Sequence, residues 1–175
     1  LVTGSHYDKN FGYTYKEIIK SGNKIDFKIR MKFDQLSKKK IIENMSIYIK
    51  KLSSYLEKKN FNLILILGDR YETLISAFII NFHNIPIAHI SGGEVTEGSK
   101  DDNFRHAISK LSQIHFVSHR LYKKRLIQLG EQKKNIFNYG SLGKENINSV
   151  RPLKKLQIQK KLKIEFNDMN FLTCL

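Results

Sequence analysis

Short apolar runs and helix-spaced apolar stripes take turns along the chain, the pattern of a parallel sheet covered by crossover helices. Leu1–Thr3 reads as the end of a strand, followed by a short helix near Tyr15–Lys20 and a strand near Lys24–Met31. After Ser37 a long helix is expected, because Ile41, Met45, Ile49, Leu52 and Leu56 recur at three- and four-residue spacing and share one face. Asn60 punctuates its end. Leu63–Leu67 is continuously apolar, as for a central parallel strand buried on both faces. A helix over Tyr71–Phe82, a strand over Pro86–Ile90 and a loop over Ser91–Lys100 come next. They are followed by a helix from Asp101 to about Leu111, a strand at Ile114–Val117, a helix at Leu121–Leu129 and a short strand at Ile136–Tyr139. This order predicts an α/β fold, a doubly wound, mostly parallel, Rossmann-like sheet. After Gly143 the segments turn polar, lysine-rich and helical, and Phe171–Leu175 reads as a final strand. The chain is therefore expected to divide into an amino-terminal domain over residues 1–148, and a linker with the start of a truncated second domain over 149–175. Because it opens directly on strand residues, truncation is expected at its start as well.

Composition narrows this picture. A length of 175 residues suits one full domain with some overhang, and 41% hydrophobic residues suit a packed core. The single cysteine, Cys174, cannot form an internal disulfide, and the start lacks the regions of a signal peptide, so a cytoplasmic protein is expected. The longest apolar run, Leu63–Leu67, is far short of the roughly 20 residues that cross a bilayer, so no membrane partner is expected. The net charge of +15 invites a nucleic-acid reading. Its lysines, however, lie in short clusters on predicted exposed helix faces, and no helix-turn-helix, zinc-finger or RNP-like pattern accompanies them. A basic nucleic-acid-binding module is thus an alternative, and nucleic acid is not an expected partner.

In open α/β sheets, ligands collect beyond the carboxyl ends of the strands. Asp69 lies there, directly after the Leu63–Leu67 run. Glu94 follows the next strand through Gly92 and Gly93, which let backbone approach a ligand closely. Taken alone, Asp69 reads first as a helix cap. Asp101 and Arg105 share a helix face at a spacing of four, as do Asp102 and His106, and ion pairing alone could explain both. Two carboxyl groups in different environments are what acid/base work on a sugar requires. His89, Glu94, Asp101, His106 and His115 are close in sequence, yet none of their spacings matches a common zinc motif, so no metal is expected. His89, alternating with apolar neighbours, reads as a hydrogen-bonded strand residue, and Arg120–Arg125 as part of an ordinary amphipathic helix.

Several segments together carry a family resemblance: Val2–His6, Phe11–Ile18, Gly68-Asp-Arg-Tyr-Glu72, Pro86-Ile-Ala-His-Ile-Ser-Gly-Gly-Glu94, Asp101-Asp-Asn-Phe-Arg-His-Ala-Ile108 and Tyr139–Gly143. In this order, over Leu1–Asn148, they resemble the hydrolysing UDP-N-acetylglucosamine 2-epimerases of sialic-acid synthesis. The Gly-Asp-Arg-Tyr-Glu and Gly-Gly-Glu wording is similar to the hydrolysing branch; non-hydrolysing relatives tend to carry Gly-Asp-Thr and Glu-Ala-Gly there. The resemblance implies the first domain of a two-domain GT-B-type fold, lacking its first strand and that strand's substrate loop. It also implies a UDP-sugar substrate, no cofactor, and a homo-oligomer at full length. The implied reaction removes the C2 proton, expels UDP to leave a glycal, and hydrates the glycal to N-acetylmannosamine. A UDP-2,4-diacetamido-2,4,6-trideoxyhexose is the alternative substrate. By motif, Asp69, Glu94 and Asp101 are the implied catalytic acids and bases, their individual roles open. His6, Arg70, Gly92, Gly93, Arg105 and His106 are the implied substrate-binding positions. The chain as given, lacking the second domain, is expected to be inactive.

Overall fold

The computed structural model describes residues 1–30, 37–171 and 173, which fall into two units, Leu1–Gly140 and Ser141–Leu175. In the first unit, β1 (Val2–Thr3) leads through 3-10 turns to α1 (Tyr15–Lys20) and β2 (Lys28–Ile29). The expected Lys24–Met31 strand shrinks to those two residues because β2 pairs, in parallel, with a two-residue partner, Val2 opposite Lys28 and Thr3 opposite Ile29. Met31 lies outside the described residues.

The long helix α2 spans Lys38–Leu56, and the Ser37 hydroxyl accepts a hydrogen bond from the Lys40 N–H at its start. Its buried stripe differs from the expected one: Ile49 is exposed, and Tyr48 takes its place in the core beside Leu52 and Leu56. Positions 41, 45, 48, 52 and 55 form an equally regular helical stripe, and Tyr48 is tolerated because its hydroxyl meets Ser76 Oγ at 2.6 Å. Burial pushes that phenol up to about 12.

A four-stranded, all-parallel sheet follows in the order β3-β4-β5-β6. Its strands are β3 (Ile64–Leu67), β4 (Ile87–Ile90), β5 (Ile114–Val117) and β6 (Ile136–Asn138). The crossovers are α3 (Tyr71–Phe82), α4 (Asp101–Lys110) and α5 (Arg120–Gln128). Side chains of α2, α3 and α4 close over Ile66 and Ile87 to make the main core, while Val117, Leu126 and Ile136 make a smaller one under α5. Each fully buried Ile or Leu there contributes about 1.5–3 kcal/mol.

One expectation fails. Leu63–Leu67 is not a central strand buried on both faces: β3 stands at the end of its sheet among the described residues, and Leu63, Leu65 and Leu67 are 46%, 57% and 59% exposed. Alternate strand residues face opposite ways. Ile64 and Ile66 therefore meet the helices, and the three leucines point to the other face.

The second unit contains α6 (Leu142–Ser149), capped by the Ser141 hydroxyl, and α7 (Lys155–Leu162), neither with a buried residue. In place of the final strand expected at Phe171–Leu175, Phe171 is 90% exposed and neither it nor Thr173 belongs to a strand. Leu172, Cys174 and Leu175 lie outside the described residues. Among those described, no helix is long and apolar enough to cross a membrane.

Candidate active site

Because β3, β4 and β5 are parallel, the segments leaving their carboxyl ends share one rim. The first is the turn Gly68–Arg70. Arg70 is the N-cap residue of α3, with no side-chain capping bond, and the Asp69 carboxylate just before it is engaged elsewhere. It accepts a hydrogen bond from the guanidinium of Arg105, on α4. The capping alternative for Asp69 is therefore not what the fold uses.

Arg105 is 4% exposed and collects acceptors from three segments. One terminal nitrogen donates to the Glu94 carbonyl at 3.0 Å and to Asp102 Oδ1; the other donates to Asp69 Oδ2 and to Thr96 Oγ1 at 3.1 Å. Asp102 also accepts from the Thr96 N–H at 2.8 Å. A buried guanidinium is tolerable only when its charge and N–H groups are met in this way. The partner at helix spacing is Asp102, three residues back, in place of the expected Asp101. Asp102 and His106, the other pair at a spacing of four, form no ion pair among the described residues. Asp101 sits half-buried at the start of α4, its N–H donating to Ser99 Oγ at 3.1 Å. His106 is half-buried one residue beyond Arg105, and its Nδ1 has no partner among the described residues.

The second segment is the Ser91–Lys100 loop, which is cross-linked along its backbone. A Cβ on Gly92 would stand 2.9 Å from Ser109 Oγ and 3.1 Å from His89 Nδ1. Gly93 has φ +75°, and a Cβ there would stand 2.6 Å from the Tyr122 carbonyl oxygen. The two glycines thus let the loop lie against α4 and α5, where the Arg125 guanidinium donates to the Gly93 carbonyl. The Glu94 carboxylate is held separately: Oε1 accepts from Ser118 Oγ, at the end of β5, at 2.8 Å.

His89 ties the two segments together. Its ring is fully buried in β4, with Nε2 donating to the Gly68 carbonyl at 2.9 Å and Nδ1 3.1 Å from Ser109 Oγ. Burial pushes its pKa down to about 4, so the ring is neutral near pH 7. Nε2 then carries the proton and Nδ1 accepts from the Ser109 hydroxyl.

His6 lies in the 3-10 turn after β1, with Nδ1 2.8 Å from Thr14 Oγ1. Together with Gly68, Asp69, Arg70, Glu72 and Thr73 it lines a cavity of about 310 Å³. Arg70 donates from Nε to Glu72 Oε2 at 3.3 Å and keeps half of its side chain exposed. The structure therefore brings Asp69, Glu94 and Arg105 together through hydrogen bonds, and His6, Asp69 and Arg70 around one cavity. Thr96, Asp102, Ser118 and Arg125, which sequence reasoning did not assign to the site, complete the arrangement. Two of them carried a usable signal: Asp102 its place in the acidic group that opens the predicted helix, and Ser118 its place at the carboxyl end of a predicted strand. Among the described residues, no three His, Cys, Asp or Glu side chains gather in a metal-ligating cluster.

Residues 1–174 match the family model described as UDP-N-acetylglucosamine 2-epimerase. A Campylobacter jejuni relative, named GDP/UDP-N,N'-diacetylbacillosamine 2-epimerase (hydrolyzing), is 42% identical over 171 residues, covering 95% of this chain and 43% of the relative. The polysialic acid biosynthesis protein P7 of Escherichia coli is 36% identical over 160 residues, covering 91% of this chain and 41% of that protein. The chain thus spans less than half the length of either. In structure, it resembles the Neisseria meningitidis UDP-GlcNAc 2-epimerase crystallised with UDP-GlcNAc. The TM-score is 0.67 at 21% identity, covering 92% of this chain and 44% of that one, which shows a shared fold of the GT-B type.

Proposed function

We propose a function from one premise: the chain belongs to the UDP-N-acetylglucosamine 2-epimerase family. It contributes the sugar-handling carboxyl groups of a hydrolysing 2-epimerase that converts UDP-N-acetylglucosamine and water to N-acetylmannosamine and UDP. In the first half-reaction a carboxylate takes the C2 proton. The C1–O bond breaks with its electron pair leaving on UDP, and a C1=C2 double bond forms. In the second, water adds its oxygen to C1 and a proton returns to C2 from the opposite face. Asp69, Glu94 and Asp101 are the candidate proton carriers. Arg105 and His106 are candidates to orient them, and His6, Arg70, Gly92 and Gly93 to line the sugar site. The observation that carries this reading is the buried Arg105 guanidinium, which joins Asp69 to the backbone of Glu94 at the sheet rim.

A second substrate, the UDP-2,4-diacetamido-2,4,6-trideoxyhexose, is favoured by one observation, the 42% identity to the C. jejuni diacetylbacillosamine enzyme. The complete gene product, given each UDP-sugar in turn, separates the two. Release of UDP with free N-acetylmannosamine supports the first, and release only from the diacetamido sugar supports the second. No UDP from either ends the enzyme reading. Asp69→Asn and Glu94→Gln are each expected to lower turnover by roughly 10²-fold or more; wild-type rates in both would remove these residues from the site.

A further inference from the structure

Asp69 and Glu94 differ in the kind of group that holds them. A guanidinium only donates hydrogen bonds, so it serves an ionised carboxylate and offers nothing to the O–H of a carboxylic acid. A hydroxyl both donates and accepts. It can donate to a carboxylate, then rotate and accept from the protonated acid, with the heavy atoms unmoved. Asp69 meets a guanidinium, Arg105, whereas Glu94 Oε1 meets the hydroxyl of Ser118 at 2.8 Å.

We infer that Ser118 is a positioning residue that holds the Glu94 carboxyl in one place through a cycle of proton gain and loss. Its short side chain leaves the backbone directly after Val117, the last residue of β5, so its aim is set by the sheet. The backbone of Glu94 is fixed independently, by Arg105 on its own carbonyl and by Arg125 on that of Gly93. Losing the Ser118 hydroxyl therefore frees the carboxyl group while leaving the loop in place. The rest of the Ser118 environment is compatible with this role: it is half-buried, with His119 behind it capping α5 by accepting from the Leu121 N–H at 3.2 Å.

The inference rests on the reading of Glu94 given above, and one set of variants of the complete gene product separates the two. Ser118→Ala is expected to lower kcat for UDP release about tenfold, the usual effect of one hydrogen bond to a charged group, with KM within about twofold. It should also displace one limb of the kcat–pH profile. Ser118→Thr, which keeps the hydroxyl, is expected to recover most of the rate and the original profile. Ser118→Cys, close in size but a weak donor, should fall between them, and it decides the matter if the alanine variant does not fold. An unchanged kcat in Ser118→Ala, or equal losses in the alanine and threonine variants, overturns the inference. Full turnover by Glu94→Gln overturns the site reading beneath it, whereas an inactive Glu94→Gln with an unaffected Ser118→Ala sinks the Ser118 role alone.

Discussion

The Gly68–Arg70 turn and the Ser91–Lys100 loop each carry a carboxylate to the same rim, and they are fixed by opposite means. The first is held by its brevity, three residues between β3 and α3, with open space around Gly68. The second is ten residues long and relies on cross-links: Arg105 on the Glu94 carbonyl, Arg125 on the Gly93 carbonyl, Asp102 on the Thr96 N–H, and no spare volume at Gly92 or Gly93. A long loop can serve as a rigid platform when its backbone polar groups are each met from the surrounding helices. The short turn is tied at fewer points: His89 Nε2 donates to the Gly68 carbonyl at 2.9 Å, and Asp69 accepts from the same arginine.

Arg105 is where the two regions join, so its removal should produce the largest effect. Arg105→Ala leaves Asp69 and Asp102, with side chains 27% and 20% exposed, facing one another without a cation. A loss of about 4 kcal/mol is expected in urea unfolding. Arg105→Lys should recover less than half, since one ammonium cannot reach acceptors spread over both terminal nitrogens of the guanidinium. A loss below about 1 kcal/mol for the alanine variant would show that the loop stands without its central tie.

His89 links the two regions under the sheet rim, and its effect depends on pH. Its pKa is pushed down to about 4 by burial, with smaller opposing contributions from the Gly68 carbonyl and Asp69; His115 and Arg105 act in the same direction as burial. A group whose native pKa lies below its unfolded value binds a proton first in the unfolded chain. Its contribution is complete above about pH 6.5, is lost as the pH falls from there towards 4, and stops changing below. The span corresponds to about 3 kcal/mol. His115, also buried and shifted down, adds to the same slope. His89→Asn should flatten the fall in urea midpoint between pH 7.5 and 4.5 relative to the wild type, and parallel curves for the two proteins would rule His89 out as its source.

Much of this was legible in the chain itself, for identifiable reasons. The helix at Tyr71–Phe82 and the strand at Ile114–Val117 lie where the periodicity places them. Asp69 and Glu94 could be singled out because a residue after a parallel strand emerges at the rim whatever its side chain does next. Side-chain pairing was harder to read. Helical spacings of three and four are equivalent on paper, and in the fold it is Asp102, which also accepts from the Thr96 N–H, that meets Arg105. Ser118 and Arg125 reach the Glu94 loop from 24 and 32 residues away, a meeting that no local pattern encodes. Leu63–Leu67 misled for a related reason, since an apolar run states that burial is favourable and not which neighbours supply it.

The smallest effects give the sharpest contrast between the two regions, because the same substitution can be made in each. Gly68 and Gly93 both hold positive φ, +97° and +75°, so alanine is strained at either by about 1 kcal/mol. At Gly68 a Cβ meets nothing within 4 Å, and that strain is the whole expected cost of Gly68→Ala. At Gly93 it would press to 2.6 Å on the Tyr122 carbonyl and 3.0 Å on Leu126 Cγ, so α5 or the loop must shift. The expected loss for Gly93→Ala is about 2 kcal/mol or more. The displaced loop also carries Glu94 away from Ser118, so turnover of the complete gene product should fall well beyond what stability explains, while Gly68→Ala keeps the Glu94 contact. Equal unfolding midpoints for the two variants would mean that the long loop yields as readily as open space, and that its cross-links do not hold it rigid.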